Sequence, residues 1–269
     1  MKKRRRQLNL LETIILGIIQ GITEWLPISS TGHLKIAEHY MGERAPFAFD
    51  FILHIGTLIV VLIFFRKDVQ SILSALVHLD FKTESGKFIP LLIAATIPAA
   101  AVALIIIKYF LDLSGNILYI ATAFILIGII LYATKTGKET EDISYKTAII
   151  VGIAEGIAII PGISRSGITI AVAVLLGAKR EKAFQFSFLL SIPSVIGAIG
   201  YMFYTESDKL VTAQLGWTEI FAGVIAAMVV GYFAIKLLWK ILAKKKLYLF
   251  AFYCWLLGTV LILLNLSGF

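Results

Sequence analysis

Four stretches of this chain run for 19 to 23 positions without one charged side chain: Ile89–Ile107, Leu113–Thr134, Ala183–Thr205 and Leu247–Phe269. An α-helix needs about 20 such residues to cross the ~30 Å hydrocarbon layer of a bilayer. Inside that layer every backbone N–H and C=O must find a partner within the chain, which leaves helices as the natural spanning element. Two shorter uncharged cores, Phe51–Phe65 and Ile220–Ile235, reach spanning length through their flanks. The pattern predicts an all-α integral membrane protein with six spans. Pro98 and Pro193 fall inside spans and are expected to kink them without ending them.

Composition agrees. Of 269 residues, 59% are hydrophobic and 16% charged, against about 45–50% and about 25% in soluble domains. A soluble enzyme and a disordered chain are both excluded on this ground. The net charge of +8 is assigned to membrane topology, and no nucleic-acid partner is expected, because Lys and Arg gather in short cytoplasmic loops of membrane proteins. A single cysteine, Cys254, excludes an internal disulfide or a cysteine-based zinc site. The first apolar stretch contains Glu12, Gln20 and Glu24 and no small-residue cleavage pattern, so no removable signal peptide is expected.

Two further apolar stretches, about Leu8 to His39 and about Lys146 to Leu176, are interrupted near their middles by Pro, Gly and Ser beside ionisable groups. Non-helical backbone at membrane depth persists only where it is buried in protein or lines a wet cavity. Both stretches are read as re-entrant helical hairpins. They also match each other. GIIQGITEWLPISSTGH begins at Gly17 and GIAEGIAIIPGISRSGI begins at Gly152. At a constant offset of 135, Gly17 pairs with Gly152, Gln20 with Glu155, Gly21 with Gly156, Ser29 with Ser164 and Gly32 with Gly167. Ser30 then falls opposite Arg165, and Thr31 opposite Ser166. This is an internal duplication. One membrane domain, residues 1–269, is therefore expected to consist of two repeats of about 1–135 and 136–269. Each would hold one re-entrant hairpin and three transmembrane helices, and an odd number of crossings turns the second repeat upside down. In that arrangement one face carries most of the basic residues, among them Arg66, Lys67, Lys87, Lys135, Lys182 and Lys245. The opposite face carries Lys35, Arg44, Lys108 and Lys209. The first is expected to be cytoplasmic; the basic run Lys2–Arg6 falls on the other side.

The chemistry sits at the two breaks. Gln20 and Glu24 share a helix face, and a carboxylate inside a membrane usually marks function, the alternative being a hydrogen bond to the opposite hairpin. Pro27 stops the first helix. Ser29, Ser30, Thr31 and Gly32 are suited to cap the next one and leave its N–H groups open to an oxyanion or phosphate. His33 lies within a turn of Ser30, where it reads as a proton shuttle or nucleophile. Arg165, flanked by Ser164 and Ser166, requires an anionic partner in this setting, and its planar fork suits phosphate; a purely structural pair with Glu24 or Glu155 is the simpler alternative. Asp50 and His54, one turn apart, read equally as a polar pair at the mouth of a cavity. The combination points to a phosphorylated lipid head group. A transporter or flippase is the competing reading, since inverted repeats with broken helices are common there, and a lipid-binding scaffold is a third.

The run GIIQGITEWLPISSTGH followed by PGISRSG resembles the undecaprenyl-diphosphate phosphatase family of the bacitracin-resistance type, and length, order and spacing agree over essentially the whole chain. The resemblance implies a bacterial inner (plasma) membrane enzyme that removes the terminal phosphate of undecaprenyl diphosphate. The product is the monophosphate carrier lipid for peptidoglycan and other envelope glycans. It implies an active site open to the outer side, a polyprenyl diphosphate substrate held at the bilayer, and a divalent cation, Mg²⁺ or Ca²⁺; a homodimer is compatible with it. It carries catalytic roles onto Glu24, Ser30, His33 and Arg165, with Glu24 also the metal ligand. Gln20, Ser29, Thr31, Gly32, Ser164 and Ser166 become substrate-binding candidates. Many members have Glu where this chain has Gln20, and an amide can neither act as a base nor charge a metal site. The nucleophile remains open among Ser30, His33 and a metal-bound water.

Overall fold

A computed structural model of the chain describes residues 8–41, 47–110, 116–211 and 216–267. The described residues are helical apart from their connections and one isolated bridge between Glu141 and Ala178. In chain order the helices are α1 (Leu10–Trp25), α2 (Ser30–Met41), α3 (Phe47–Phe64), α4 (Arg66–Val77), α5 (Phe88–Phe110), α6 (Ile117–Ala133), α7 (Tyr145–Ile157), α8 (Arg165–Leu175), α9 (Arg180–Val211), α10 (Trp217–Ala243) and α11 (Leu249–Leu266).

Five of these, α5, α6, α9, α10 and α11, are each long and apolar enough to cross a membrane. They coincide with five expected spans, and α5 and α9 run through Pro98 and Pro193 unbroken. The sixth expected span differs. Helix α3 extends its apolar core only at its N-terminal end, and at Phe65 the chain bends by 81° into α4. The charged run Arg66-Lys67-Asp68 explains the stop, since continuing straight would carry three ionisable groups along the spanning axis. The outer surface of the bundle is apolar: Ile97, Leu126, Phe233 and Leu256 are all more than half exposed. In a protein of this composition that surface faces lipid, and the chain is a multi-pass membrane protein. Lys2–Arg6 and Arg44 lie outside the described residues.

Each interrupted stretch is a pair of short helices. Asn9 starts α1 with a reciprocal cap, accepting from Glu12 N–H (2.9 Å) while Glu12 Oε2 accepts from Asn9 N–H (2.8 Å). Pro27 lacks the donor to continue, and α2 begins at Ser30. In the second stretch α7 ends near Ala158, and the chain passes through Pro161 and Gly162 before Ser164 caps α8 by accepting from Gly167 N–H (3.1 Å). Gly162 has φ +99°, and a Cβ there would lie 2.6 Å from the carbonyl oxygen of Ile120, so only glycine fits.

Packing between helices follows small residues. Helix α1 lies against α10, and α7 lies against α5. A Cβ on Gly17 would strike the carbonyl of Gly223, and one on Gly21 would come 2.6 Å from the carbonyl oxygen of Ala227. At the same spacing in α7, a Cβ on Gly152 would strike the carbonyl of Ala95, and one on Gly156 would come 2.6 Å from that of Ala99. Lipid tails are as apolar as leucine, so helices here associate through this close backbone approach and not through hydrophobic exclusion from water. Helix α3 packs on α9 and α10, α5 also on α9, and α6 on α11. The two interrupted pairs meet in the interior, beside the buried aromatic group of Trp25, Phe184 and Phe188; Trp25 and Phe188 are 5.2 Å apart between ring centroids.

Ion pairs tie together the loops on one face. Arg180 Nε and Lys245 Nζ both reach Glu139 Oε1, at 2.7 and 3.1 Å, and Lys182 Nζ reaches Glu84 Oε1 at 2.9 Å. Lys179 pairs with Asp142 at 3.1 Å, and Gln185 Nε2 donates to Asp68 Oδ1 at 2.5 Å. Lys179, Arg180, Lys182 and Lys245 are thus tied to the loops around the start of α9 and the α10–α11 turn.

Candidate active site

The site is assembled where the first break meets the second. Glu24, in the last turn of α1, is buried at 9% exposure and lies at its centre. Its Oε2 accepts from Ser30 Oγ at 2.6 Å and from Gln20 Nε2 at 3.2 Å. Its Oε1 accepts from Arg165 Nη2 at 3.2 Å. The Nε2 atom of His54, from α3, stands 3.5 Å from the same carboxylate. His54 Nδ1 is 2.8 Å from the carbonyl oxygen of Asp50, so that nitrogen carries a proton, and the approach to Glu24 is attractive only when Nε2 carries one as well. A carboxylate at this depth is costly alone; the three donors Ser30, Gln20 and Arg165, the last a cation, offset the cost here, and His54 adds to them when Nε2 is protonated.

Arg165 is the first residue of α8, and its guanidinium lies over the Trp25 ring, 5.6 Å from the centroid. One of its amino groups is used by Glu24. The other, Nη1, is buried and has no hydrogen-bond partner. Gln20 Oε1 is likewise buried and without a partner. The two orphaned atoms, one donor and one acceptor, flank a carboxylate already bound to a hydroxyl. An unsatisfied buried group of this kind costs roughly 1–3 kcal/mol, more when charged, and a bound anion is what Arg165 Nη1 would accept.

The remaining hydroxyls at the breaks hold the two hairpins together. Ser29 Oγ accepts from Gly32 N–H (3.3 Å) in its own helix and from Gly162 N–H (3.1 Å) in the other break. Ser29 sits at φ 67°, a conformation that costs a non-glycine residue about 1–3 kcal/mol, and these two bonds help to hold it there. The position matching Gly162 in the first break is Pro27, which has no N–H to offer. Ser164 instead donates to the carbonyl of Leu26 (3.4 Å), and Ser166 donates to that of Trp25 (3.0 Å). Thr31 Oγ1 lies 3.4 Å from Ser29 Oγ. Gly32 lies against Phe124, where a Cβ would come within 2.8 Å of the ring. Ser29, Ser164 and Ser166, each at most 2% exposed, are therefore engaged with backbone.

His33 is placed differently from its expected approach to Ser30. Its Nδ1 is 2.7 Å from the carbonyl oxygen of Ser29, and its Nε2 is 2.6 Å from Tyr253 Oη on α11. The ring stacks on Tyr253 and meets Phe124 edge-on. A carbonyl oxygen can only accept, so Nδ1 carries the proton, and in the neutral ring Nε2 accepts from Tyr253. Tyr253 carries no motif, and nothing in the sequence ties it to the site. His54 was legible only as half of a polar pair with Asp50; the structure points its ring at Glu24. Glu155, the counterpart of Gln20, is buried at 7% exposure with an unpartnered Oε2.

Among the described residues no three His, Cys, Asp or Glu side chains gather at one point. The oxygen donors at hand are Glu24 and Gln20 Oε1. One carboxylate and one amide oxygen, completed by waters and phosphate oxygens, match the way Mg²⁺ is commonly held beside phosphate substrates.

Residues 13–260 match the family model described as "Bacitracin resistance protein BacA". A protein of Halothermothrix orenii, named undecaprenyl-diphosphatase, is 39% identical over 262 residues, covering 96% of this chain and 98% of its own. The undecaprenyl-diphosphatase of Carboxydothermus hydrogenoformans is 39% identical over 270 residues, covering 97% and 99%. Undecaprenyl-diphosphatase 3 of Bacillus cereus is 38% identical over 265 residues, again covering 97% and 99%. With the profile spanning nearly the whole chain and full-length relatives agreeing with it, the chain belongs to the bacitracin resistance protein BacA family.

Proposed function

We propose that the protein hydrolyses the terminal phosphate of undecaprenyl diphosphate, giving undecaprenyl phosphate and inorganic phosphate, and that this recycling of the carrier lipid confers bacitracin resistance. The full-length relatives are named for this activity. The observation that carries the reading is one carboxylate serving two partners: Glu24 binds the hydroxyl of Ser30 at 2.6 Å and also Arg165, whose second amino group is buried without a partner.

In this reading Arg165 binds the diphosphate through Nη1 and tightens as charge develops on the transferring phosphoryl group. Ser30 Oγ is the nucleophile. Glu24 takes its proton as the new P–O bond forms and the bond to undecaprenyl phosphate breaks. Water then cleaves the phosphoserine, and the hydroxyl is restored. His33, held by Ser29 and Tyr253, orients the first turn of α2 and shields the phosphate. The short contact between Ser30 and Glu24 favours this serine over His33, both of whose ring nitrogens are already engaged. Glu24 and Gln20 Oε1 would hold a divalent cation, Mg²⁺ or Ca²⁺, which would neutralise diphosphate charge.

The same reading makes the chain one domain of two inverted repeats, about 1–135 and 136–269, each with a re-entrant hairpin and three spans. The exchanged pairing supports it: α1 on α10 and α7 on α5 are equivalent under the duplication, as are α3 on α10 and α9 on α5. The face bearing the ion-paired loops would be cytoplasmic, and the site would open to the outer side of a bacterial plasma membrane. The test is phosphate release from undecaprenyl or farnesyl diphosphate by the purified protein, with and without EDTA. Lipid movement across liposomes without phosphate release would overturn the reading in favour of a flippase.

A further inference from the structure

The face remote from Glu24 carries a feature that the proposed hydrolysis does not use. Helix α3 has 18 residues, about 27 Å of rise, close to the thickness of the hydrocarbon layer. Its end at Phe64 therefore lies near one membrane interface, and the 81° bend at Phe65 turns α4 along that interface. The sequence of α4 suits the position. Lys67, Gln70, Ser71 and Ser74 fall on one side, and Val69, Ile72, Leu73 and Leu76 on the other, with Arg66 and Val77 at the boundary between them. The inner edge is held by buried Ala75 and by the bond between Asp68 and Gln185. The outer apolar edge is bare, with Val77 78% and Leu79 70% exposed.

Beside the polar edge is an open cavity of about 670 Å³, lined among others by Lys67, Gln70, Ser71, Ser74, His78 and Asp80. His78 Nδ1 is 2.9 Å from the carbonyl oxygen of Ser74, which leaves Nε2 for a ligand. Asp80 Oδ1 accepts from the N–H of Lys82. The charge is uneven across this face. Lys179, Arg180, Lys182 and Lys245 each have a carboxylate within ion-pair distance. Among the described residues Arg66, Lys67, Lys82 and Lys87 have none. Lys67 lines the cavity and Arg66 and Lys82 adjoin its lining residues in sequence, outnumbering the one carboxylate in the lining, Asp80; an excess of cations beside an apolar edge at interface depth is the pattern that binds anionic lipid.

We propose that α4 lies in the membrane plane and that the cavity along its polar side binds the phosphate head group of an anionic phospholipid from the leaflet on that side. Lys67 supplies the charge, with Ser71, Ser74 and His78 Nε2 as hydrogen-bonding groups. Leu73, Leu76 and Val77 enter the acyl layer and seat the lipid's chains.

The test uses the full-length protein in detergent and reads retained lipid by native mass spectrometry after titration with phosphatidylglycerol or phosphatidylcholine. The wild type is expected to retain phosphatidylglycerol in preference. Lys67→Gln should weaken that retention about fivefold, and Lys67→Glu should abolish the preference. Lys67 is exposed, so neither change disturbs packing, and an unaltered melting temperature confirms this. Equal retention of the two lipids by wild type, or unchanged retention in Lys67→Glu, would overturn the proposal. The readout contains no catalytic step, so its outcome is independent of whether the protein releases phosphate.

Discussion

Replacing Glu24 by Gln tests the centre of the site with minimal change of shape. Both carboxylate oxygens are accepting: Oε1 from Arg165, and Oε2 from Ser30 and Gln20. An amide has one acceptor and one donor end, so either orientation sets an NH₂ group against a donor. The orientation that loses least keeps the oxygen towards Ser30 and Gln20 and turns the NH₂ towards Arg165. That forfeits a charge-assisted bond of about 1.5–3 kcal/mol and leaves a buried guanidinium without its counter-charge. The folded protein should therefore melt at a lower temperature. A diphosphate would give Arg165 a new anionic partner, so binding should suffer less than turnover. The larger loss is chemical. A neutral amide cannot take the Ser30 proton, and removal of a general base typically costs 10²–10⁴ in rate. Phosphate release from a polyprenyl diphosphate should fall at least about 10²-fold in kcat, with KM changed by much less. Near-normal kcat in a folded Glu24→Gln protein would refute the assignment of Glu24 as base and leave it as the structural partner of Arg165.

Arg165→Lys keeps the charge but loses the fork that serves Glu24 and phosphate together; steady-state assays should show lower kcat and higher KM, and wild-type kinetics would reduce Arg165 to a point charge. His54→Gln retains a donor towards Glu24 and should stay active, whereas His54→Leu should lose kcat with KM retained; equal activity in both would remove His54 from the site. Ser30→Ala should abolish trapping of a phosphorylated enzyme, and label found on His33 in the wild type would make His33 the nucleophile. On the far face, burial pushes the Glu139 carboxyl up, but its bonds to Arg180 and Lys245 outweigh this and hold it below the usual carboxylate range. Stability from that cluster is then full above the unfolded value of about 4.3 and lost as pH falls through the lower folded value. Thermal unfolding should show an acid-labile component below about pH 4 that Glu139→Gln lacks; identical acid profiles would show that the cluster contributes nothing.

The interrupted stretches were legible because Pro, Gly and Ser at membrane depth have few explanations, and the 135-residue offset brought Ser30 and Arg165 into one frame. The close pairing of α1 with α10 was written in Gly17 and Gly21, as that of α7 with α5 was in Gly152 and Gly156. Those glycines served only as register marks in the sequence, because spacing identifies a helix face but not the helix that meets it. The contacts of Tyr253 with His33 and of His54 with Glu24 were beyond reach for the same reason. Apolar periodicity fails in a lipid-facing bundle, where helices are hydrophobic on every side. Ser29, Ser164 and Ser166 looked like ligand donors, yet each satisfies backbone, a distinction that depends on where the opposite break places its N–H and C=O groups. The bend at Phe65 was marked by Arg66-Lys67-Asp68, but the sequence did not give its angle.

The pairing of α1 with α10 also orders the making of the protein. Helix α7 finds its partner α5 already synthesised, whereas α1, finished at Trp25, meets its most extensive partner only when the chain reaches Trp217. At about 5–20 residues per second that interval is about 10–40 s. Throughout it the nascent chain must shelter Glu24, and for most of it Arg165 has not been made. A translocon or insertase that holds α1 during this wait would matter more here than in a bundle of sequential hairpins. A ribosome stalled before α10 should leave Gly17 and Gly21 open to cross-linking that the completed protein prevents.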